Sequence, residues 1–133
     1  GDITIRVEAN GFLYHTNHYI YDEMFKYNIK IGSSSLTRLN RIKELIEKRS
    51  KPFSMNDFIS MSEDKKDGPD NSIYRDGSSK NKNKTVAVWL VYLSKTNEDK
   101  LYVKIRDRRD NIEVYNFKLN ELFSKSNFDI QFK

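Results

Sequence analysis

Thr85-Val-Ala-Val-Trp-Leu-Val-Tyr-Leu93, followed by Leu101-Tyr-Val-Lys-Ile105 and Ile112-Glu-Val-Tyr-Asn116, decides the fold class of this chain. The first run is β-branched and aromatic throughout, and its length and composition suit a strand buried on both faces. In the second, Leu101, Val103 and Ile105 recur every second residue, the period of a strand with one covered face. Ile112 and Val114 repeat that pattern in the third. The polar turns Ser94–Lys100 and Asp107–Asn111 separate the three runs, so the expectation is a set of antiparallel neighbours.

The N-terminal residues read as a hairpin. Ile3, Ile5 and Val7 alternate with Thr4, Arg6 and Glu8, Asn10-Gly11 supplies the two positive-φ positions of a tight turn, and Phe12–Thr16 returns. Asn17 and His18 fall where the returning strand ends. Residues 19–31 are aromatic-rich and irregular. Ser33, Ser34 and Ser35 offer helix N-caps, because a serine oxygen can accept from orphan backbone N–H groups. Leu36, Leu39, Ile42, Leu45 and Ile46 follow at helical spacing, with Lys48 and Arg49 at the negative end. Pro52 closes that helix, and Ser54 opens a short second one anchored by Met55, Phe58, Ile59 and Met61. Residues 63–84 are polar and read as a long loop with a small apolar island, Ser72-Ile-Tyr-Arg75. Leu119, Leu122 and Phe123 begin a terminal helix. Hairpin, helices, then strands make an α+β fold in which helices cover an antiparallel sheet, one domain over residues 1–133.

Composition narrows the function classes. The chain has 133 residues, 37% hydrophobic and 13% aromatic, enough for a core without metals or disulfides. Its 24 Lys+Arg exceed its 19 Asp+Glu by five, a modest excess that does not by itself identify nucleic acid. No cysteine is present, which excludes a disulfide framework, a thiolate metal site and a cysteine nucleophile within these residues. No stretch approaches the roughly 20 apolar residues of a membrane span. The start, Gly1-Asp2-Ile3, lacks the basic and apolar regions of a signal peptide, which with the lack of cysteine points to the cytoplasm. It also enters a strand pattern almost at once, so a segment upstream is expected.

Few residues offer chemistry by spacing alone. His15 and His18 would face opposite sides of a strand and have no further ligands near them, so neither a metal nor a cofactor is expected. Arg106, Arg108 and Arg109 cluster at one turn, and Lys80, Lys82 and Lys84 occupy the polar loop. Asp107 and Asp110 dilute the arginines and no nucleic-acid-binding pattern accompanies them, so solvated turns are the preferred reading.

Three motifs taken in order say more. They are Glu8-Ala-Asn-Gly-Phe-Leu-Tyr-His-Thr-Asn17-His18-Tyr19, Ser34-Ser-Leu-Thr-Arg38-Leu-Asn-Arg41, and Asn71-Ser-Ile-Tyr-Arg75 followed by Thr85-Val-Ala-Val. Together they resemble the choloylglycine hydrolase superfamily, and more closely its branch typified by acyl-CoA:6-aminopenicillanate acyltransferase. The resemblance spans most of residues 1–123. It implies that residues 1–133 are the C-terminal portion of a larger αββα sandwich of the N-terminal-nucleophile hydrolases, in which self-cleavage exposes a cysteine whose α-amine serves as base. It also implies a hydrolase or acyltransferase acting on linear C–N amide bonds of a small molecule or peptide. On this reading a complementary chain, or a segment upstream, carries the N-terminal cysteine. Asn17 falls on the strand-end asparagine that helps form the oxyanion hole, and Arg38 on the arginine beside the nucleophile. His18, Tyr19, Ser34 and Arg75 fall on positions that line the substrate site. Two departures stand out: Tyr74 replaces a usual cysteine, and Arg106-Asp-Arg-Arg109 replaces a turn often built from glycine and proline. Two other readings stay open, a non-catalytic binding module retaining part of the fold and a weakly basic nucleic-acid-binding domain.

Overall fold

The computed structural model describes residues 11–49, 52–96 and 98–123. It contains α1 (Asp22–Phe25), α2 (Ser33–Glu47), α3 (Met55–Ser62), α4 (Gly68–Asn71), β1 (Ala87–Tyr92), β2 (Lys100–Arg106), β3 (Ile112–Lys118) and α5 (Leu119–Leu122). The strands form an antiparallel sheet in the order β1-β2-β3. The three strands expected over residues 85–93, 101–105 and 112–116 are present, flanked by helices as the α+β reading requires. The first strand of the expected hairpin, residues 3–7, lies outside the described residues. Its return stretch is extended and alternates in burial, with Phe12, Tyr14 and Thr16 half-buried and Leu13, His15 and Asn17 exposed, but it joins no ladder among the described residues. Gly11 takes φ +75°, the conformation that the expected turn asks of it.

Two local expectations are corrected. The serines at the head of α2 do not cap it. Gly32 is the N-cap residue and no side chain caps the helix; the hydroxyls of Ser34 and Ser35 instead bond to other segments, to Asp70 and Thr16. By contrast, Ser54 caps α3 as expected, in a reciprocal box with Asp57. The second correction concerns β1, which among the described residues is an edge strand. Trp89 is 63% exposed and Val91 58%, so the run is not covered on both faces by any described residue.

Register explains which face is which. Trp89, Val103 and Tyr115 lie in line across the sheet, as do Val91, Leu101 and Phe117. The opposite face carries Leu90, Tyr102 and Asn116, with Val88, Lys104 and Val114 beside them. Helix α3 packs against β1, and Glu63 at its C-cap accepts from Tyr102 Oη (3.1 Å) and Lys104 Nζ (2.7 Å).

Segment 63–84 holds α4 and supplies the most deeply buried side chains, Tyr74 and Ser72. The Tyr74 ring is surrounded by Lys65 Nζ at 5.0 Å, Lys104 Nζ at 4.8 Å and the Arg106 guanidinium at 5.1 Å. A residue read as part of a polar loop is thus a centre of the core, reached by three cations.

Helix α2 is tied to this centre through Asp64. Arg41 donates Nε (3.0 Å) and Nη2 (2.6 Å) to the two Asp64 oxygens, and the Asp64 carbonyl accepts from Tyr74 N at 3.0 Å. Arg41 also donates to Glu44, which accepts from Lys48 and Lys66 as well. Those donors, Lys48 foremost, hold the Glu44 carboxyl down from 4.5 to about 2, and the Arg41 fork holds Asp64 below its usual range. A carboxyl whose pKa is depressed by folding stabilises the fold above its unfolded value and ceases to do so as pH falls through the folded one. Arg41→Leu is therefore expected to lower the midpoint of urea unfolding at pH 7. The gap from the wild type should narrow as pH drops from 4.5 towards 2. Urea unfolding across that range measures it, and a pH-independent gap would show that the pairs contribute nothing through charge.

Candidate active site

The site is built where the extended stretch 11–18 runs past the first turn of α2. Ser35 is the joint. Its Oγ accepts from the Asn17 backbone N–H at 3.0 Å, lies 2.8 Å from His18 Nδ1, and donates to Thr16 Oγ1 at 3.1 Å. Thr16 Oγ1 in turn donates to the Ser35 carbonyl at 3.1 Å. Each hydroxyl has one proton to give. All four contacts are used together when His18 carries its proton on Nδ1 and donates it to Ser35. His18 and Ser35 are each only 6% exposed, so this knot is a buried wall that fixes the backbone at Asn17.

Arg38 lies one turn further along α2. Its Nε donates to the Ser34 carbonyl at 3.2 Å and its Nη2 to Asn17 Oδ1 at 2.7 Å. A guanidinium has donors only, so the amide oxygen must be the end that faces it. The Asn17 Nδ2 then points the other way with two N–H groups to offer, and among the described residues nothing accepts from it. Two hydrogen bonds hold the guanidinium and two hold the asparagine, one through its backbone and one through its side chain. The result is a preorganised donor at an exposed position.

The charge at this point is uncompensated. Burial lowers the Arg38 pKa, and the like charge of Arg75 lowers it further. Neither arginine has a carboxylate partner among the described residues. Arg75 is held through its backbone: its N–H donates to Thr85 Oγ1 (2.9 Å) and its carbonyl accepts from Thr85 N (2.9 Å). Ser34 Oγ donates to the Asp70 carbonyl at 3.0 Å, fastening α2 to α4. Tyr19 lies on the wall of an open groove of about 410 Å³ that Asn17, His18 and Asn28 also line. The Asn28 side chain clasps the Tyr19 backbone at both N and O, each at 2.9 Å.

A model of the acyl-coenzyme A:6-aminopenicillanic acid acyl-transferase family matches residues 1–110. The chain belongs to that family. The match covers the site stretch, α2, the Tyr74 segment, β1 and β2, and it ends before β3. Searching the curated proteins found no match. The α+β architecture, a sheet flanked by helices, is consistent with the N-terminal-nucleophile sandwich of this family. Its members typically act as cysteine-nucleophile amide hydrolases or acyltransferases, whereas these 133 residues contain no cysteine. Among the described residues no helix is long and apolar enough to cross a membrane, and no group of three or more His, Asp or Glu could hold a metal ion.

Of the six residues singled out from sequence, Asn17, His18, Ser34 and Arg38 gather around the first turn of α2. Arg75 is coupled to them through Arg38, and Tyr19 borders the adjoining groove. Sequence reasoning missed Ser35 and Thr16, which hold the others in place. Thr16 stood inside the quoted motif. Ser35 was one of three consecutive serines, and which of them faces the extended stretch depends on the helix's rotation in the fold. Ser35→Ala is expected to cost about 2 kcal/mol in urea unfolding, since it leaves buried donors without an acceptor. The exposed Ser33→Ala should stay within about 0.5 kcal/mol. Equal effects of the two would contradict the joint assigned to Ser35.

Proposed function

We propose that this chain supplies the oxyanion-stabilising half of an amide-processing active site, with the cysteine nucleophile contributed from outside these 133 residues by a complementary chain or upstream segment. The enzyme acts on linear C–N amide bonds, as a hydrolase or acyltransferase. The observation that carries this reading is the Arg38–Asn17 contact, which leaves a rigid amide N–H₂ directed away from the protein's own acceptors.

The chemistry follows from that donor. A thiolate adds to the amide carbonyl, and the carbonyl oxygen becomes an oxyanion that accepts from Asn17 Nδ2. Collapse of this intermediate expels the amine, which leaves with a proton, and an acyl-thioester remains. Water or a second amine then takes the acyl group and regenerates the thiol. A donor fixed before the reaction pays no reorganisation cost as charge develops, which is why its orientation matters more than its proximity. Arg38 acts by holding that orientation, and its half-buried charge favours anionic species nearby. Tyr19, His18, Ser34 and Arg75 shape the substrate side, Tyr19 from the groove wall and Arg75 through its charge. The apolar sheet face of Trp89, Val91 and Tyr115 supports a complementary chain, because an exposed apolar surface of this kind favours a covering partner.

In the enzyme assembled with its nucleophile-bearing part, Asn17→Ala is expected to lower kcat by about 10²–10³-fold with little change in KM. Arg38→Lys should not restore the activity lost in Arg38→Leu, because an ammonium cannot span Ser34 O and Asn17 Oδ1 as a planar fork does. Full kcat in both Asn17→Ala and Arg38→Leu would overturn the assignment. A native particle whose intact mass reveals this chain alone, without any cysteine-bearing part, would favour a non-catalytic module.

A further inference from the structure

A second concave region lies at the other end of the Arg75 segment. Arg75, Lys82, Lys84, Arg106 and Arg108 line a groove of about 440 Å³, together with Asn83, Val86, Asp107 and Asp110. Three segments that are separate in sequence, the Tyr74 segment, the residues before β1 and the β2–β3 turn, converge on it. That convergence brings the lysines of one predicted turn against the arginines of another.

Five cations here face two carboxylates, and both carboxylates are already engaged. Asp107 accepts from Arg109 N, Asn111 N and Asn111 Nδ2, an arrangement that closes the β2–β3 turn. Asp110 accepts from Lys84 Nζ at 2.7 and 2.6 Å and lies 3.5 Å from Arg106 Nη1. Arg75, Lys82 and Arg108 are left without a carboxylate partner among the described residues. Arg106 is committed to the fold: its side chain is only 7% exposed, with Nη2 on Asp76 at 2.5 Å and its guanidinium over the Tyr74 ring.

We propose that this groove binds the phosphate group of a small-molecule ligand. Three unpartnered cations match a multiply charged oxyanion better than a single carboxylate, which could neutralise only one of them. Guanidinium forks at Arg75 and Arg108 suit tetrahedral phosphate oxygens, with Lys82 as a point charge. A nucleic-acid strand fits poorly, because none of the lining residues is aromatic and binding of single strands rests on base stacking. The inference stands on the groove alone and does not depend on the amide chemistry proposed above.

Calorimetric titration of the intact protein with pyrophosphate tests it, with Lys82→Gln and Arg108→Gln as probes. Both residues are exposed, so neither substitution endangers folding. The expected result is saturable 1:1 binding, weakened by about tenfold in each variant. The same affinity should be kept in Lys43→Gln, a surface lysine on α2 outside the groove. No saturable binding, or equal loss in all three variants, would overturn the site. An oligonucleotide that binds with affinity rising with its length, and displaces pyrophosphate, would overturn the small-molecule assignment in favour of nucleic acid.

Discussion

The packing of Tyr74 is the interaction on which the rest of the structure depends. Its ring is almost wholly buried beneath Lys65, Lys104 and Arg106. Lys65 comes from the segment that also carries Tyr74, and Lys104 and Arg106 come from β2, so one ring joins that segment to the central strand. The cations are themselves tied by acids, Asp76 bridging Lys65 and Arg106, and Glu63 holding Lys104. Cation–π contacts of this kind contribute about 0.5–2 kcal/mol each, more where the ring and cation are desolvated. The Tyr74 N–H also donates to Asp64, which Arg41 clamps from α2. The position of α2, and hence of everything at its first turn, is inherited from this centre.

The candidate site uses that inheritance. Arg38 and Ser35 project from a helix held rigidly by Arg41, and both reach the stretch that ends in Asn17. Ser35 fixes the backbone of Asn17 and Arg38 fixes its side chain, so the amide donor is aimed by two independent contacts. This is how a fold obtains precision at an exposed residue: the amide proposed as the oxyanion donor is accessible, while the groups that orient it are half-buried or buried. Arg75 belongs to the same scheme at one remove. Its backbone is pinned to Thr85 beside the start of β1, and its charge is felt both by Arg38 and by the basic groove beyond it.

The three-stranded sheet has two unlike faces, and its asymmetry bears on function. One face meets α3 and carries the Tyr102–Lys104–Glu63 cluster. The other presents Trp89, Val91 and Tyr115 in register with the buried Val103 and Leu101. The continuous apolar composition of residues 85–93 reads as burial on both sides, while β1 among the described residues is an edge strand with one face open. The composition records what the strand is suited to meet, and a family sandwich of two stacked sheets would supply it.

The sequence alone determined the three strands of the sheet, the two main helices, the α+β class and the family, because each rests on local composition and periodicity or on motifs with fixed order. It also named Asn17, Arg38 and their neighbours as candidates, since residue type and position within a motif are local properties. It could not determine that Tyr74 sits at the core, because a lone aromatic in a polar stretch has no period to betray its burial. Nor could it say which of three serines forms the joint, that Arg38 meets the oxygen end of the Asn17 amide, or that Lys82 and Arg108 face one groove. Those facts depend on the rotation of a helix about its axis and on the approach of segments far apart in the chain. Only tertiary packing sets such angles and distances, and here it sets them through the charges gathered around one buried ring.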